Sequence, residues 1–185
     1  MDEIRCSSNP AVADSLRALC GSVAVVDDRA YLETVRDRLS GAGFRNESPP
    51  PAAVLSARRR EVKLTRFGLV ETIVAISDRS GNSEPDDLRL LGADIVQFAR
   101  GGKSKIPLGL GSSLVVYPVL LVDEASSELR QFAGSYTPRH WCVVEFPVVV
   151  ERSTWSLVML EHVPLWGAAY FRKTRLDAQE LLAPT

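Results

Sequence analysis

The chain has 185 residues, a length typical of one domain. Hydrophobic residues make up 45% and charged residues 24%, values of an ordinary globular protein that exclude a largely disordered chain. Lysine and arginine total 22 against 23 aspartates and glutamates, so the net charge is -1. Proteins that coat nucleic acid usually carry a basic excess, so the composition argues against that class and allows only a local basic patch.

The sequence contains no segment typical of secretion or of membrane insertion. Charged residues such as Asp2 and Arg5 interrupt the first twenty residues, and no later apolar run approaches about 18 residues. The cysteines, Cys6, Cys20 and Cys142, are odd in number and widely spaced, which argues against a disulfide framework. We therefore expect a cytoplasmic protein with reduced thiols and no membrane contact.

Residues 1–45 are predicted to form a helical segment. Asn9 and Pro10 provide a cap and a first helical residue for one short helix, which Gly21 ends. Asp28 can cap a second helix that Gly41 ends. The apolar stripe of this second helix consists of Leu32, Val35 and Leu39.

Residues 46–52 contain three successive prolines, which predict an exposed loop or linker. Residues 53–185 then form the predicted sheet-containing core of a single domain. Polar and apolar residues alternate from Glu61 onward, and Gly68 leads into the apolar run of residues 69–77. This pattern predicts a hairpin whose second strand lies inside a sheet.

The next elements predict a strand, a helix and a strand in that order. Ser83 and the acidic residues that follow it are typical of a helix start, and Gly101 ends the helix. Residues 114–122 are a further apolar strand. Because such units are right-handed and parallel in nearly all cases, the strands beginning near Leu69 and Leu114 should be parallel neighbours.

The last third is predicted to contain a short helix at residues 124–132 and an antiparallel hairpin of residues 141–150 and 154–161. If a tight turn lies near Arg152, the residue numbers of each facing pair in this hairpin should add up to about 305, which defines the expected register. Because proline has no amide proton, Pro118 and Pro147 should each mark a sheet edge or a bulge. A closing helix contains Leu176, Leu181 and Leu182.

The predicted fold class is therefore α/β. We expect a mixed sheet of about five or six strands, with a central parallel βαβ unit and helices on both faces.

Acidic residues follow both strands of the predicted parallel unit. Asp78 ends the first strand, and Asp123 with Glu124 ends the second. The carboxyl ends of parallel strands lie side by side, so these carboxylates could bind Mg²⁺ and activate water for phosphodiester hydrolysis. The alternative is structural, because aspartates at such positions commonly stabilise turns and cap helices.

The order of elements over residues 28–122 resembles the restriction-endonuclease-like core. Nucleases of that kind place an acid early and then Glu-x-Lys on the adjoining strand. Here that strand carries Glu71 with Ile73 at the lysine position, whereas Lys63 stands two residues after Glu61 on the preceding arm. The resemblance therefore implies Glu71 and Lys63 as catalytic candidates, with the usual catalytic set displaced or lost.

The two histidines lie at the ends of the late hairpin. His140 and Glu145 belong to one predicted strand, and His162 follows the other. A histidine beside a carboxylate can act as a general base, and two histidines with a glutamate can hold a metal ion. The alternative is that both histidines are hydrogen-bonded structural residues at strand ends.

Two basic segments are candidates for anion binding. Gly102, Lys103 and Ser104 look like the end of a phosphate-binding loop, but Gln97 stands where that motif requires glycine. Lys103 and Lys105 are therefore predicted only to meet an anion in a flexible loop. The arginines at positions 58–60 are predicted to form a solvated strand edge.

Large aromatic residues precede and begin the closing helix. Trp166, Tyr170 and Phe171 could pack in the core or form a surface for a partner, since tryptophan and tyrosine are common interface anchors. We favour a non-catalytic cytoplasmic domain that binds another protein or associates with itself, without a cofactor. The alternative is a metal-dependent phosphodiesterase or nuclease, which would need Mg²⁺ and act on nucleic acid.

Overall fold

The computed structural model describes residues 27–63, 68–81, 83–101, 111–136, 142–161 and 168–184. These residues form four helices and seven strands. The elements in chain order are α1 (Asp28–Gly41), β1 (Arg45–Asn46), β2 (Leu55–Lys63), β3 (Gly68–Arg79), α2 (Pro85–Gly101), β4 (Ser112–Val122), α3 (Ser127–Ser135), β5 (Val143–Glu145), β6 (Val148–Glu151), β7 (Ser156–Met159) and α4 (Ala168–Leu182). The predicted helix that Gly21 ends lies outside the described residues.

All seven strands belong to one mixed sheet, which confirms the predicted fold class. The order is β1-β2-β3-β4-β6-β7, and β5 pairs with β4 beside β6. Strands β3 and β4 are parallel over eleven residue pairs, as predicted for the central unit. β5 and β6 are also parallel to β4, whereas the β1–β2, β2–β3 and β6–β7 pairs are antiparallel.

Both faces of the sheet are covered by helices, and this explains why the central strands are continuously apolar. Helices α1 and α4 pack on one face, where Val74 and Val119 join their core. Helices α2 and α3 pack on the other face, where Ile73 and Leu120 lie. Because β3, β4 and β6 are buried on both sides, their sequences lack the polar alternation of a half-exposed strand.

Pro118 lies inside β4, which has neighbours on both sides and pairs with β3 without a bulge. The prediction of an edge or a bulge at Pro118 is therefore wrong. The Val116 carbonyl accepts the Phe146 amide at 2.8 Å, so by the two-residue period Pro118 also turns its nitrogen toward this neighbour. The backbone donor that Pro118 lacks would therefore point at the gap between β5 and β6, which Phe146 and Pro147 occupy.

The late hairpin has a different register from the predicted one. Val148 pairs with Met159 and Glu151 with Ser156, a shift of two residues, because the turn spans the four residues 152–155. Glu145 belongs to β5, which pairs with β4 and not with β7. Among the described residues, no helix is long and apolar enough to cross a membrane.

Candidate functional site

The carboxyl ends of β3, β4 and β6 meet at one edge of the sheet. Asp78 lies near the end of β3, Asp123 follows β4, and Arg152 follows β6. The Arg152 guanidinium donates from Nε to Asp28 Oδ1 at 2.8 Å and from Nη1 to Asp123 Oδ1 at 3.1 Å. It also forms a close hydrogen bond with Asp78 and a longer one to the Leu121 carbonyl. One arginine therefore holds three carboxylates from three different elements.

Arg152 is the cation of this cluster and remains charged. Burial alone disfavours its charged form, but hydrogen bonds to Asp28 and Asp78 outweigh that effect and raise the Arg152 pKa. The second oxygen of Asp123 accepts the Gly81 amide at 3.3 Å. The structure thus brings Asp78 and Asp123 together as predicted, but their charge is balanced by a guanidinium from the chain itself.

The remaining acids predicted for a metal site do not bind Arg152. Glu124 is exposed, and Glu71 precedes Asp78 on β3 by seven residues, about 23 Å at strand spacing. In the part of the chain that the structure describes, no three or more histidine, cysteine, aspartate or glutamate side chains are placed so that they could hold a metal ion. Asp28, which the sequence suggested as a helix cap, binds Arg152 instead, and the residue at the cap position of α1 is Asp27.

Glu71 forms a buried ion pair with the arginine run. Arg58 Nη1 lies 2.5 Å from Glu71 Oε1, and Arg60 Nη2 lies 3.4 Å from the same oxygen. Arg58 is 7% exposed and stacks on the Phe98 ring, so the prediction of a solvated edge is wrong for this residue. The pairing makes Glu71 part of the sheet's packing against α2. The Lys63 side chain lies outside the described residues.

Glu145 is a buried acid at the base of a groove between α2 and β5. Its side chain accepts the Tyr136 hydroxyl at 3.3 Å and lies directly under Gly92 of α2. Burial raises the pKa of Tyr136, and so do the negative charge of Glu145 and the hydrogen bond to it. The positive charge of Arg89 partly offsets this rise. His140 and His162, the predicted partners of Glu145, lie outside the described residues.

A larger groove, of about 900 Å³, follows the outer edge of β7. Helix α3 lines one wall with Arg130 and Gln131, and α4 lines the other with Arg175 and Gln179. Within the described chain, β7 pairs only with β6, so one row of its backbone donors and acceptors faces this groove. We call this surface the β7 groove.

The walls of the β7 groove are fixed by contacts on both sides of the strand. The Arg175 guanidinium donates to the Glu161 carbonyl at 3.0 Å, and the Glu161 amide donates to the Gly134 carbonyl of α3 at 3.3 Å. Arg130 pairs at 2.6 Å with Glu151, which is fully buried and also accepts the Ala125 amide at 2.7 Å. These contacts tie α3 and α4 to the two ends of the hairpin.

The residues predicted to form a partner or anion surface have different positions. Phe171 is 3% exposed and packs in the core under α4. Trp166, Lys103, Lys105 and the Tyr170 side chain lie outside the described residues. Sequence reasoning selected the late hairpin but missed the groove, because the only local sign of an edge strand is the short, half-apolar run of β7.

Comparisons with protein-family models, with curated proteins and with solved structures found no match to this chain.

Proposed function

We propose that this chain is a non-catalytic protein-binding domain that captures an extended polypeptide segment along β7. The observation that carries the proposal is the edge of β7, which lies between two helical walls and has no neighbouring strand among the described residues. An extended segment added to such an edge gains backbone hydrogen bonds, and its alternate side chains enter pockets on either face.

The two edges of the sheet differ in charge, which supports this choice of surface. On the opposite side of the sheet, the part of β2 that extends beyond β1 carries Arg59, Arg60, Glu61 and Lys63, and charged side chains protect strand edges from pairing. In contrast, β7 reads Ser-Leu-Val-Met and carries no charge. The β7 edge therefore lacks the usual electrostatic protection against a further strand.

The groove also defines what would fit. Its β7 segment has four residues, which corresponds to about 13 Å of extended chain. Leu157 packs toward the core under α1 and α4, and Val158 toward the core under α2 and α3; both are half-buried. The occupant should therefore present apolar side chains on both faces over about four residues.

A displayed library of random ten-residue peptides, selected on the full chain, tests this proposal. Enriched peptides should contain alternating apolar residues, and Val158→Lys should weaken their binding at least tenfold by placing a charge beside the open edge. The matched control is Leu90→Lys, because Leu90 is 63% exposed on α2 and lies away from the groove. Circular dichroism must show that both variants remain folded.

Two results would overturn the proposal: a library that yields no enriched peptide, or selected peptides that bind Val158→Lys as well as the unchanged chain. Sedimentation velocity of the chain alone addresses self-association. An oligomer that Val158→Lys dissociates, and Leu90→Lys does not, would identify a second copy as the occupant of the β7 groove.

The metal-dependent phosphodiesterase is the second candidate. Asp78 and Asp123 do lie together at the carboxyl ends of parallel strands, but Arg152 already supplies the positive charge there. Mg²⁺ and nucleic acid belong only to this alternative, and protein binding at β7 requires no cofactor. We further propose a cytoplasmic location, which the odd number and wide spacing of the cysteines support.

A further inference from the structure

Each helical wall of the β7 groove carries an arginine, and the two arginines differ in how their charge is balanced. Arg130 of α3 pairs at 2.6 Å with Glu151, which is fully buried. Arg175 of α4 donates to the Glu161 backbone carbonyl at 3.0 Å, and no carboxylate of the described residues pairs with its guanidinium. The α4 wall therefore holds a positive charge that the described part of the chain does not neutralise.

The carboxylate of Glu161 lines the same groove but lies toward the opposite wall. Its Cγ atom is 3.9 Å from the position of a Cβ atom added to Gly134 of α3, whereas its backbone carbonyl accepts from Arg175 of α4. Gln179, one turn after Arg175 on the same wall, is uncharged. Arg175 is thus available to a carboxylate that enters the groove.

Arg175 marks one end of the β7 edge. Its carbonyl partner Glu161 stands four residues after Leu157, on the order of 13 Å at strand spacing. Trp155 lines the other end of the groove, at the turn before β7. With a cation at one end and an aromatic ring at the other, the groove distinguishes the two ends of a bound segment.

We propose that the segment captured at β7 is acidic at one end, where an aspartate or glutamate side chain pairs with Arg175 while apolar residues pack along Leu157 and Val158. This inference rests on the proposed function and specifies the partner that the β7 groove selects. Arg175 is half-buried, so an ion pair there is screened less than one on an open surface. A guanidinium that gives one N–H to a carbonyl still presents other donors to a carboxylate.

The carboxylate belongs to a side chain and not to the end of the partner chain. An added strand runs in the plane of the sheet, and its alternate side chains point toward the two helix layers. Because Arg175 projects from α4, a side chain on that face reaches it, whereas a backbone terminus beside β7 does not. The acid should therefore stand about four residues from the apolar residue opposite Leu157, on the same face of the strand.

Peptides selected on the full chain from the displayed library test this inference. We expect an aspartate or glutamate at a fixed spacing from the apolar residues, on whichever side the strand direction dictates. The most enriched peptide is then synthesised with acetylated and amidated ends, so that its acidic side chain is the carboxylate under test. Changing that acid to its amide should weaken binding about tenfold in isothermal titration, the scale of a charge-assisted hydrogen bond.

Substitution of Arg175 provides the other half of the test. Arg175→Gln keeps a donor for the Glu161 carbonyl, and it should weaken the acidic peptide about tenfold while leaving the amide peptide unchanged. Arg175→Glu should reverse the preference, so that a peptide with lysine in place of the acid binds more tightly than the acidic one. Arg172→Gln, an exposed residue of α4 outside the groove, should change neither affinity.

The outcomes separate this inference from the proposed function. Selected peptides without an acid at a fixed spacing would overturn the inference, as would an acid-to-amide effect that is the same on Arg175→Gln as on the unchanged chain. Both results leave protein binding at β7 standing if Val158→Lys still weakens the peptides. A library without enriched peptides would overturn the proposed function, and the inference with it.

A peptide that lacks the acidic side chain but keeps a free C-terminal carboxylate should bind as weakly as the amide peptide. If it binds as tightly as the acidic peptide, the carboxylate at Arg175 belongs to a chain end and the inference is wrong.

Discussion

Arg152 determines the electrostatics of the carboxyl edge of the sheet. Its side chain is 14% exposed, whereas its partners Asp28, Asp78 and Asp123 are 40%, 35% and 63% exposed. Exposed ion pairs usually contribute less than about 1 kcal/mol each. Here one guanidinium serves three carboxylates, so its removal leaves three like charges close together without a counter-charge.

We therefore predict that Arg152→Met lowers the free energy of unfolding by about 2 kcal/mol, the scale of hydrogen bonds to charged groups. The melting temperature should fall by about 4 to 8 °C for a chain of this length. The variant should also gain a rise in melting temperature with Mg²⁺, because its three carboxylates are then free to bind a cation. Thermal unfolding with and without Mg²⁺ measures both effects.

Arg172→Met is the control for this substitution, since Arg172 is exposed on α4. If the unchanged chain already gains stability with Mg²⁺, and Asp123→Ala abolishes the gain, the prediction fails. That outcome would favour the phosphodiesterase alternative instead.

At the scale of elements, β3 and the segment before β4 approach each other at two glycines. The Leu69 amide donates to the Gly111 carbonyl at 2.9 Å, and a Cβ atom at Gly68 would lie only 2.0 Å from that carbonyl oxygen. Gly111 has a φ of 86°, which favours glycine. The start of the parallel pair therefore depends on the absence of a side chain at Gly68.

Gly68→Ala should lower the free energy of unfolding by about 1 to 3 kcal/mol, because the backbone must shift to admit the methyl group. Gly41→Ala is the matched control: no atom lies within 4 Å of its added Cβ, and alanine is the better helix former at the end of α1. Urea unfolding of both variants measures the difference. Equal effects of the two substitutions would contradict the proposed close contact.

Helices and strands could be predicted from the sequence wherever the apolar residues follow a clear pattern. The apolar run after Gly68 and the acidic start of α2 correctly predicted a strand, a helix and a parallel partner strand. The hairpin register could not be predicted, since it depends on the turn length at residues 152–155. Pro118 was assigned to an edge or a bulge because the sequence does not show which neighbouring strand lacks a backbone acceptor opposite this residue.

The candidate site could be predicted only in part. The convergence of Asp78 and Asp123 follows from parallel strand ends, but their binding to Arg152 depends on how a distant turn packs. The arginines at positions 58–60 were predicted to lie on the surface, because the sequence does not reveal that Glu71 and Phe98 contact Arg58. Polar pairs formed across elements leave no periodic signal.

At the scale of the whole molecule, the two helix layers share a single sheet. Tyr31 of α1 donates its hydroxyl to the Leu182 carbonyl at 3.0 Å, and its ring lies 5.5 Å from that of Trp155. Helix α1 is thereby joined to α4 and to the β6–β7 turn. Since β3 and β4 contribute side chains to both cores, neither layer has a sheet of its own.

We accordingly predict one cooperative unfolding transition. Far-ultraviolet circular dichroism and tryptophan fluorescence should give the same midpoint in urea, because loss of either layer exposes the shared sheet. Two separated transitions would show that the described elements do not unfold as one unit.

The Arg152 cluster also has a consequence for the kinetics of unfolding. Its contacts join residues separated by 124, 74 and 29 positions, so all three can exist only after the helix, the central strands and the late turn have come together. Contacts of such long sequence separation are costly to close early in folding. We expect the Arg152 contacts to be weakly formed in the transition state for folding. Contacts that are weak in the transition state affect mainly the rate of unfolding. A small group of surface charges would then prolong the lifetime of the folded chain more than it speeds its formation.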